Sequence, residues 1–522
     1  MQHASEIKAT RREWIGLIVL MLPTILIAMD LTVLHLAVPH LSTALQPSGS
    51  QLLWITDIYG FMIAGSLITM GTLGDRIGRR KLLMIGAAAF GAASIVAAFS
   101  TTASMLIAAR ALLGIAGATL MPSTMSLIRN MFLNPRQRTV AIGIWVSGFS
   151  VGSSIGPLVG GLLLERFWWG SVFLLGVPVM GLLLTAGPLL LPEYKDPNPG
   201  RFDLPSAGLS LAAVLSVIYG LKQIAESGFT PVAAVAVVTG IVIGIIFVQR
   251  QRSLVDPLID LRLFQVRAFI VALATYTFGI FVAFGSFLFI AQYLQLVLGL
   301  SPLEAGMWAL PGAVASIFGS NVAPVLVRRI RPAYVVSAGL ALAGVGCALL
   351  TQAGTDSLAL AVIGNSLMSL GFGFTFTLTA DMVVTAAPPE RAGAASAISE
   401  TGAEFGGALG IAVLGSIGMA IYRNQIAAGM PSGLSPEVVE LSKETLGGAV
   451  TAAAELDNAT GGALASAAHQ AFVSGLHTVA LIGAAGFFAL ALLTVIALRR
   501  VVIHGSEEAP AEIPSRLAEA DI

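Results

Sequence analysis

Long apolar runs alternate with short polar connections along almost the whole chain. A helix crossing a bilayer needs roughly 20 mostly apolar residues, and only a helix or a closed barrel satisfies its backbone polar groups there. Runs of that kind fall at 14–38, 51–71, 82–99, 104–128, 139–163, 170–191, 205–223, 231–249, 268–296, 304–327, 333–351, 357–381, 393–420 and 475–498. They predict an all-α polytopic membrane protein with fourteen spanning helices. The run at 205–223 is the weakest of them. Lys8, Arg11 and Arg12 precede a first run longer than the ~7–15-residue core of a signal peptide, so that run is expected to be retained as a helix.

Basic residues in the connections set the orientation. With the N-terminus inside, the inner segments carry Arg76, Arg79, Arg80, Lys81, Arg129, Arg136, Arg138, Lys195, Arg201, Arg250, Arg252, Arg262, Arg267, Arg328, Arg329, Arg331 and Arg391. Lys8, Arg11 and Arg12 at one end and Arg499, Arg500 and Arg516 at the other bring the inner total to 23, against Arg166, Lys222, Arg423 and Lys443 outside. Both termini are therefore expected in the cytoplasm of a bacterial cell, the protein being multi-pass in its plasma membrane. The remaining one of the 28 bases, Arg110, falls deep inside a run.

Composition agrees with lipid as the solvent. Hydrophobic residues make up 56% and charged residues 11% of 522 positions; the mean hydropathy is +0.87. A soluble domain carries about a quarter charged residues. The net charge is zero, so no basic surface argues for nucleic acid. Cys347 has no second cysteine to pair with and reads as a small packing residue.

The chain also resembles itself. The fifth run reads Ser147-Gly148-Phe149-Ser150-Val151-Gly152 with Gly156 four residues on; the thirteenth reads Thr401-Gly402-Ala403-Glu404-Phe405-Gly406 with Gly410 four residues on. Each follows a Pro-x-x-Arg connection, Pro135 with Arg138 and Pro388 with Arg391. Two related six-helix halves are expected, 1–192 and 263–503, with two extra helices inserted at 193–262 and a polar tail at 504–522. Repeated halves are a common plan of secondary transporters, with the substrate held between them.

The connection after the second run reads Gly71-Thr72-Leu73-Gly74-Asp75-Arg76-Ile77-Gly78-Arg79-Arg80-Lys81. Its glycines allow a tight turn, and Asp75 can pair with an arginine or with a helix N-terminus. Positive-inside topology explains the bases but not the Gly-x-x-Gly-Asp-Arg-x-Gly order. That order resembles the signature loop of the major facilitator superfamily. Arg110 with Gly114 and Gly117 resembles the superfamily's helix-four motif, and Gly148, Gly152, Gly156-Pro157 and Gly160-Gly161 resemble its antiporter motif. Met29-Asp30-Leu31-Thr32-Val33 is similar to the helix-one motif of the fourteen-helix drug:proton antiporters of the QacA and SmvA type. His35 stands where many members carry Asn, and Gly170 where a Trp-Arg-Trp pattern is common. Relatives that export divalent cations add an acid in the tenth helix; none follows Glu304 here. The resemblance implies alternating access, a proton gradient as the energy source, no cofactor, a monomer, and quaternary ammonium compounds, dyes and biguanides as cargo.

An ionisable side chain at bilayer depth is costly, which makes the deep acids functional candidates. They are Asp30, Asp57, Glu400 and Glu404. The last two are four residues apart, one above the other on a helix, so both cannot easily ionise in a low dielectric and their titrations are coupled. Such a pair can exchange a proton for a lipophilic cation. Glu404 is expected to be the principal proton carrier with Glu400 as its partner, Asp30 to take part in coupling and cation binding, and Asp57 to assist. Arg110, the one base read as deep enough, cannot neutralise four carboxylates. Tyr59, Trp145, Phe149, Phe281 and Trp308 are candidate substrate-contacting rings, since aromatic faces attract cations. Asp381 is expected to pair with an inner arginine.

His35, His40, His469 and His477 form no metal-binding spacing, and no Gly-x-x-x-x-Gly-Lys-Ser/Thr loop is present to hold nucleotide. An outer loop is expected at 422–473, with amphipathic helices or a hairpin covering the outer mouth. Two rivals remain: an exporter of lipids or other metabolites on the same scaffold, and a membrane-embedded enzyme or receptor. Neutral or anionic cargo would need extra bases in the cavity. No nucleophile–base pair appears for an enzyme, and no output domain for a receptor.

Overall fold

In the computed structural model, residues 8–47, 49–195, 203–254, 257–387 and 392–498 are described. Pro388, Arg391, Arg201 and the tail at 504–522 fall outside them. All regular structure among these residues is helical. The first half contains α1 (Arg11–Leu45), α2 (Gly49–Ile77), α3 (Arg79–Ala98), α4 (Ala103–Met131), α5 (Pro135–Arg166) and α6 (Ser171–Leu190, interrupted at Leu175). Next come α7 (Leu204–Ser227) and α8 (Pro231–Ser253), then α9 (Arg267–Gln292), α10 (Pro302–Leu326), α11 (Pro332–Leu350), α12 (Leu358–Ala386), α13 (Ala392–Gly429) and α14 (Asn458–Leu498). Among the described residues, thirteen helices are long and apolar enough to cross a membrane. The remaining one, α2, has 29 residues but carries Gln51, Thr56, Asp57 and five glycines, which lower its hydropathy.

Helix starts follow local chemistry. Asn134 accepts from the Arg136 and Gln137 amides at 3.0 and 3.2 Å, with Pro135 opening α5. Thr230 before Pro231 and Ser301 before Pro302 do the same for α8 and α10, the latter with a capping box to Glu304. Proline at the first position costs no hydrogen bond, because that amide has no partner inside the helix.

The two halves pack alike. Within the first, α1 lies on α5, α2 on α4 and α3 on α4; within the second, α9 lies on α13, α10 on α12 and α11 on α12. The glycines of the repeat make both first contacts. Gly148, Gly152 and Gly156 face Thr24, Ile25 and Met29 of α1, while Gly402, Gly406 and Gly410 face Thr277 and Phe281 of α9. A Cβ at Gly152 would press on the Ile25 carbonyl and come within 2.8 Å of the Ala28 Cβ. Gly152→Leu should therefore separate α1 from α5 at a cost of about 1–3 kcal/mol, read as a lower melting temperature and reduced transport. Gly181→Leu, placed where nothing lies within 4 Å, is the control that should keep both.

The inserted pair joins the bundle through α7, which packs on α2 and α13. At its start, Arg250 of α8 donates to both Asp203 oxygens at 2.8 and 2.9 Å. Those hydrogen bonds, and one from Ser206, hold the Asp203 carboxyl down at about 2. A depressed value stabilises the fold above the ordinary carboxylate range, and the contribution fades as pH falls toward 2. Asp203→Asn should lower stability at neutral pH by about 1 kcal/mol or less, a difference that shrinks below about pH 4.

The segment expected as a loop at 422–473 is mostly helix. With 38 and 41 residues, α13 and α14 outrun the membrane, since ~20 suffice to cross it. Their polar continuations still satisfy their own backbone. Only 430–457 connects them, folded into short helices Pro436–Glu444 and Leu446–Glu455. The second buries Leu446, Ala449 and Ala452. The Tyr422 hydroxyl donates to the Ser442 carbonyl at 2.8 Å, tying the hairpin to α13.

Candidate functional site

The seam between the halves is sealed at the end where the basic connections gather. Asp75 at the end of α2 accepts from the Arg79 Nε at 2.8 Å and from the Ala394 amide at the start of α13 at 3.2 Å. Arg79 is fully buried there. A Cβ at Gly71 would come within 2.8 Å of the Gly393 carbonyl, and one at Gly74 within 2.5 Å of the Arg79 guanidinium. Gly78 has φ +114°, a conformation glycine adopts freely. That turn lets Glu193 accept from the Arg80 and Lys81 amides at 3.0 and 3.1 Å, capping α3 from across the bundle. Arg76 is half-buried beside this turn.

Two further arginines bridge α4 and α5 to α12. Arg129 donates to the Val384 carbonyl and, at 2.6 Å, to the Ala387 carbonyl, groups that a helix C-terminus leaves open. Asp381 is fully buried and accepts from Arg138 Nε at 3.3 Å, Thr139 at 2.7 Å and Thr385 at 3.2 Å. Arg138, from the other half, is the inner arginine expected for Asp381. Farther in, Asn321 of α10 donates to Ser147 at 2.8 Å and Ser150 meets Ser316 at 3.1 Å.

Past this seal lie the four deep acids, in two different settings. Asp30 pairs with Arg110 at 3.3 Å. The guanidinium, 1% exposed, sits 5.1 Å from the Tyr59 ring centre and 5.9 Å from that of Phe173. Asp30 also borders a small pocket with Phe90, Ser94, Val172 and Gly176, between α1, α3 and α6. That pocket is inside the first half rather than on the seam. Asp57 pairs with Lys222 of α7. Arg110 is thus not the sole base for the deep acids: Lys222, counted among the outer connections, reaches back from α7 because α7 packs against α2. Lys222 stands one residue before the end of the weak run at 205–223, a position that does not by itself show which way the side chain reaches.

Glu400 and Glu404 differ from these. Neither makes an ion pair among the described residues. Glu400 is 6% exposed and Glu404 half-buried. The Tyr276 hydroxyl of α9 stands in the field of both acids, and the Tyr59 hydroxyl of α2 feels Asp30, Arg110 and Glu404. Both hydroxyls are buried; that of Tyr276 lies beside Glu400 and Ser399, and that of Tyr59 has no hydrogen-bond partner among the described residues. Tyr59 thereby stands between the Asp30–Arg110 pair of the first half and Glu404 of the second.

Of the remaining rings, Phe149 joins Trp145 (centroids 5.2 Å apart) to Phe376 of α12 (6.5 Å), which lies 4.4 Å from Tyr276. An aromatic chain therefore crosses the seam. Trp145 itself is fully buried and donates to Thr124 at 3.2 Å, behind Phe149. Phe281 stacks with Phe278 at 5.2 Å and abuts Gly410; Trp308 is 43% exposed, apart from the chain. The side chain of Pro157 lies outside the described residues. Tyr276, Phe376 and Lys222 were missed in the sequence; an aromatic in an apolar helix carries no mark of the face it presents. Among the described residues no group of His, Cys, Asp and Glu could hold a metal ion.

The model of the Major Facilitator Superfamily matches residues 20–411. The chain belongs to the major facilitator superfamily. It is 43% identical to "Multidrug efflux pump LfrA" of Mycolicibacterium smegmatis, over 95% of this chain and 98% of that one. It is 38% identical to "Methyl viologen resistance protein SmvA" of Salmonella typhimurium, over 92% and 97%. The human organic anion transporter MFSD10 (TETRAN) shares the fold, with a TM-score of 0.58 at 15% identity, covering 91% of this chain and 99% of that chain. The protein is a multi-pass membrane transporter, not an enzyme.

Proposed function

We propose that this transporter is a proton-coupled exporter of lipophilic organic cations in a bacterial plasma membrane, with the basic end in the cytoplasm. The observation that carries it is the contrast among the deep acids: Asp30 and Asp57 are ion-paired, whereas Glu400 and Glu404, one turn apart at the seam, form no ion pair among the described residues. Two adjacent buried carboxylates without a salt-bridge partner favour binding a proton or an external cation. The relatives' printed names, an efflux pump and a methyl viologen resistance protein, support the direction and the charge of the cargo.

In the arrangement described, the cytoplasmic end is closed by Asp75, Arg129 and Asp381. The cycle follows from that. Open to the cytoplasm, ionised Glu404 with Glu400 attracts a cation, held also by ring faces such as Phe149 and Phe376. Closing the cytoplasmic seal turns the seam outward, where protonation of the pair removes the attraction and the cation leaves. Return carries the proton inward. Asp30 and Arg110, sensed through Tyr59, position this site. The proton gradient supplies the energy and no cofactor is invoked. Neutral or anionic cargo, as in a lipid or metabolite exporter, would need a spare base at the seam, and Arg110 and Lys222 are both engaged by acids.

The test uses everted vesicles with an inside-acid gradient and a fluorescent lipophilic cation. Uptake that appears with the gradient and collapses with nigericin is expected. Uptake indifferent to the gradient, or none of any cation tried, contradicts the proposal.

A further inference from the structure

The base that holds Asp57 sits in surroundings of a particular kind. Lys222 Nζ lies 4.9 Å from the centre of the Phe61 ring while it pairs with Asp57. Trp54 stands 6.1 Å edge-on from Phe61 and stacks on Tyr219 of α7 at 6.4 Å. A carboxylate beside several ring faces is what a quaternary ammonium or other lipophilic cation selects. Asp57 and Lys222 are 22% and 36% exposed, and Trp54 42%, so the niche is not sealed by packing. Lys222 is also within electrostatic reach of Glu404 on α13, so one ammonium faces an acid from each half. It is supplied by α7, part of the pair inserted between the halves.

We propose that the niche of Asp57, Phe61, Trp54 and Tyr219 is a second cation subsite, and that the tethered ammonium of Lys222 competes with the transported cation there. This rests on the cation-export reading and deepens it. A cation leaving Glu404 passes to Asp57 only by displacing Lys222, and the return of Lys222 expels it. The tether makes the competitor's effective concentration high and permanent. Tight retention of cargo near the exit is thereby avoided.

The experiment compares uptake of tetraphenylphosphonium by gradient-energised everted vesicles carrying the wild type or Lys222→Met. With the competitor gone, the apparent KM should fall by about 3- to 30-fold, the range a cation–π contact spans, and the maximal rate should fall with it. A packing role alone would lower the rate without lowering KM. Should Lys222→Met fail to insert, Lys222→Cys modified after assembly serves instead, because Cys347 is fully buried and unreactive. An ethylammonium methanethiosulfonate should restore wild-type KM, and a methyl one should not. An unchanged or raised KM in Lys222→Met, or equal behaviour of the two modified proteins, overturns the subsite. Absence of tetraphenylphosphonium uptake by the wild type instead overturns the export reading itself, and the subsite with it.

Discussion

Glu404→Gln should abolish gradient-driven export of lipophilic cations, by about 100-fold or more, while the protein still inserts and keeps its melting temperature. The magnitude follows from what the carboxylate does. A charge-assisted contact to a buried group is worth about 1.5–3 kcal/mol, and here the same group also carries the proton. Glutamine keeps the shape but neither attracts the cation nor exchanges a proton, so both half-reactions fail together. Glu404 has no ion pair to break, so the fold has no buried arginine or lysine to strand. Glu400→Gln should be milder, about tenfold, because it removes the partner and leaves the carrier. Asp30→Asn should behave differently: it strands Arg110, whose Nε already lacks a partner, and should cost stability as well as transport. Uptake assays paired with thermal melting separate the three cases.

A second loss of function is expected at the seal on the basic end. Asp381→Ala should open it, because one buried carboxylate gathers Arg138, Thr139 and Thr385 from both halves. Losing those bonds should shift the closed-to-open ratio by about 10- to 100-fold, taking about 1.5–3 kcal/mol for the charged contact. Ser147→Cys reports the shift, since Ser147 is 5% exposed and engaged by Asn321 in the closed arrangement. A membrane-impermeant maleimide added to the cytoplasmic face should label Ser147→Cys slowly on its own and rapidly in combination with Asp381→Ala. Equal labelling would remove Asp381 from the seal.

The fold was largely legible because lipid imposes a rule on every span: close all backbone hydrogen bonds within the segment. Fourteen apolar runs therefore became fourteen helices, with boundaries moved mostly by caps such as Asn134, Thr230 and Ser301. Where that rule does not act, prediction drifted. At 422–473 the polar residues gave no reason to continue a helix, yet α13 and α14 do continue, supported by each other and by Leu446, Ala449 and Ala452. The candidate acids could be named because charge in an apolar run is conspicuous. Their partners could not, since a partner is set by which helix lies alongside. Lys222 at the end of a weak run looked like a connection residue, and only the packing of α7 on α2 brings it to Asp57. Likewise, Asp30 could be seen to be deep, but not that it faces Arg110 and a pocket inside its own half.

In the proposed exchange, protons and a cation take turns on the acids of α13, and proton release on binding tests this without any gradient. Purified protein in weakly buffered nanodiscs, mixed with tetraphenylphosphonium, should release protons in proportion to the cation bound. Glu404→Gln should bind weakly and release none. Cation binding with no proton release from the wild type near neutral pH, or the same release from Glu404→Gln, would contradict the exchange on which the mechanism depends.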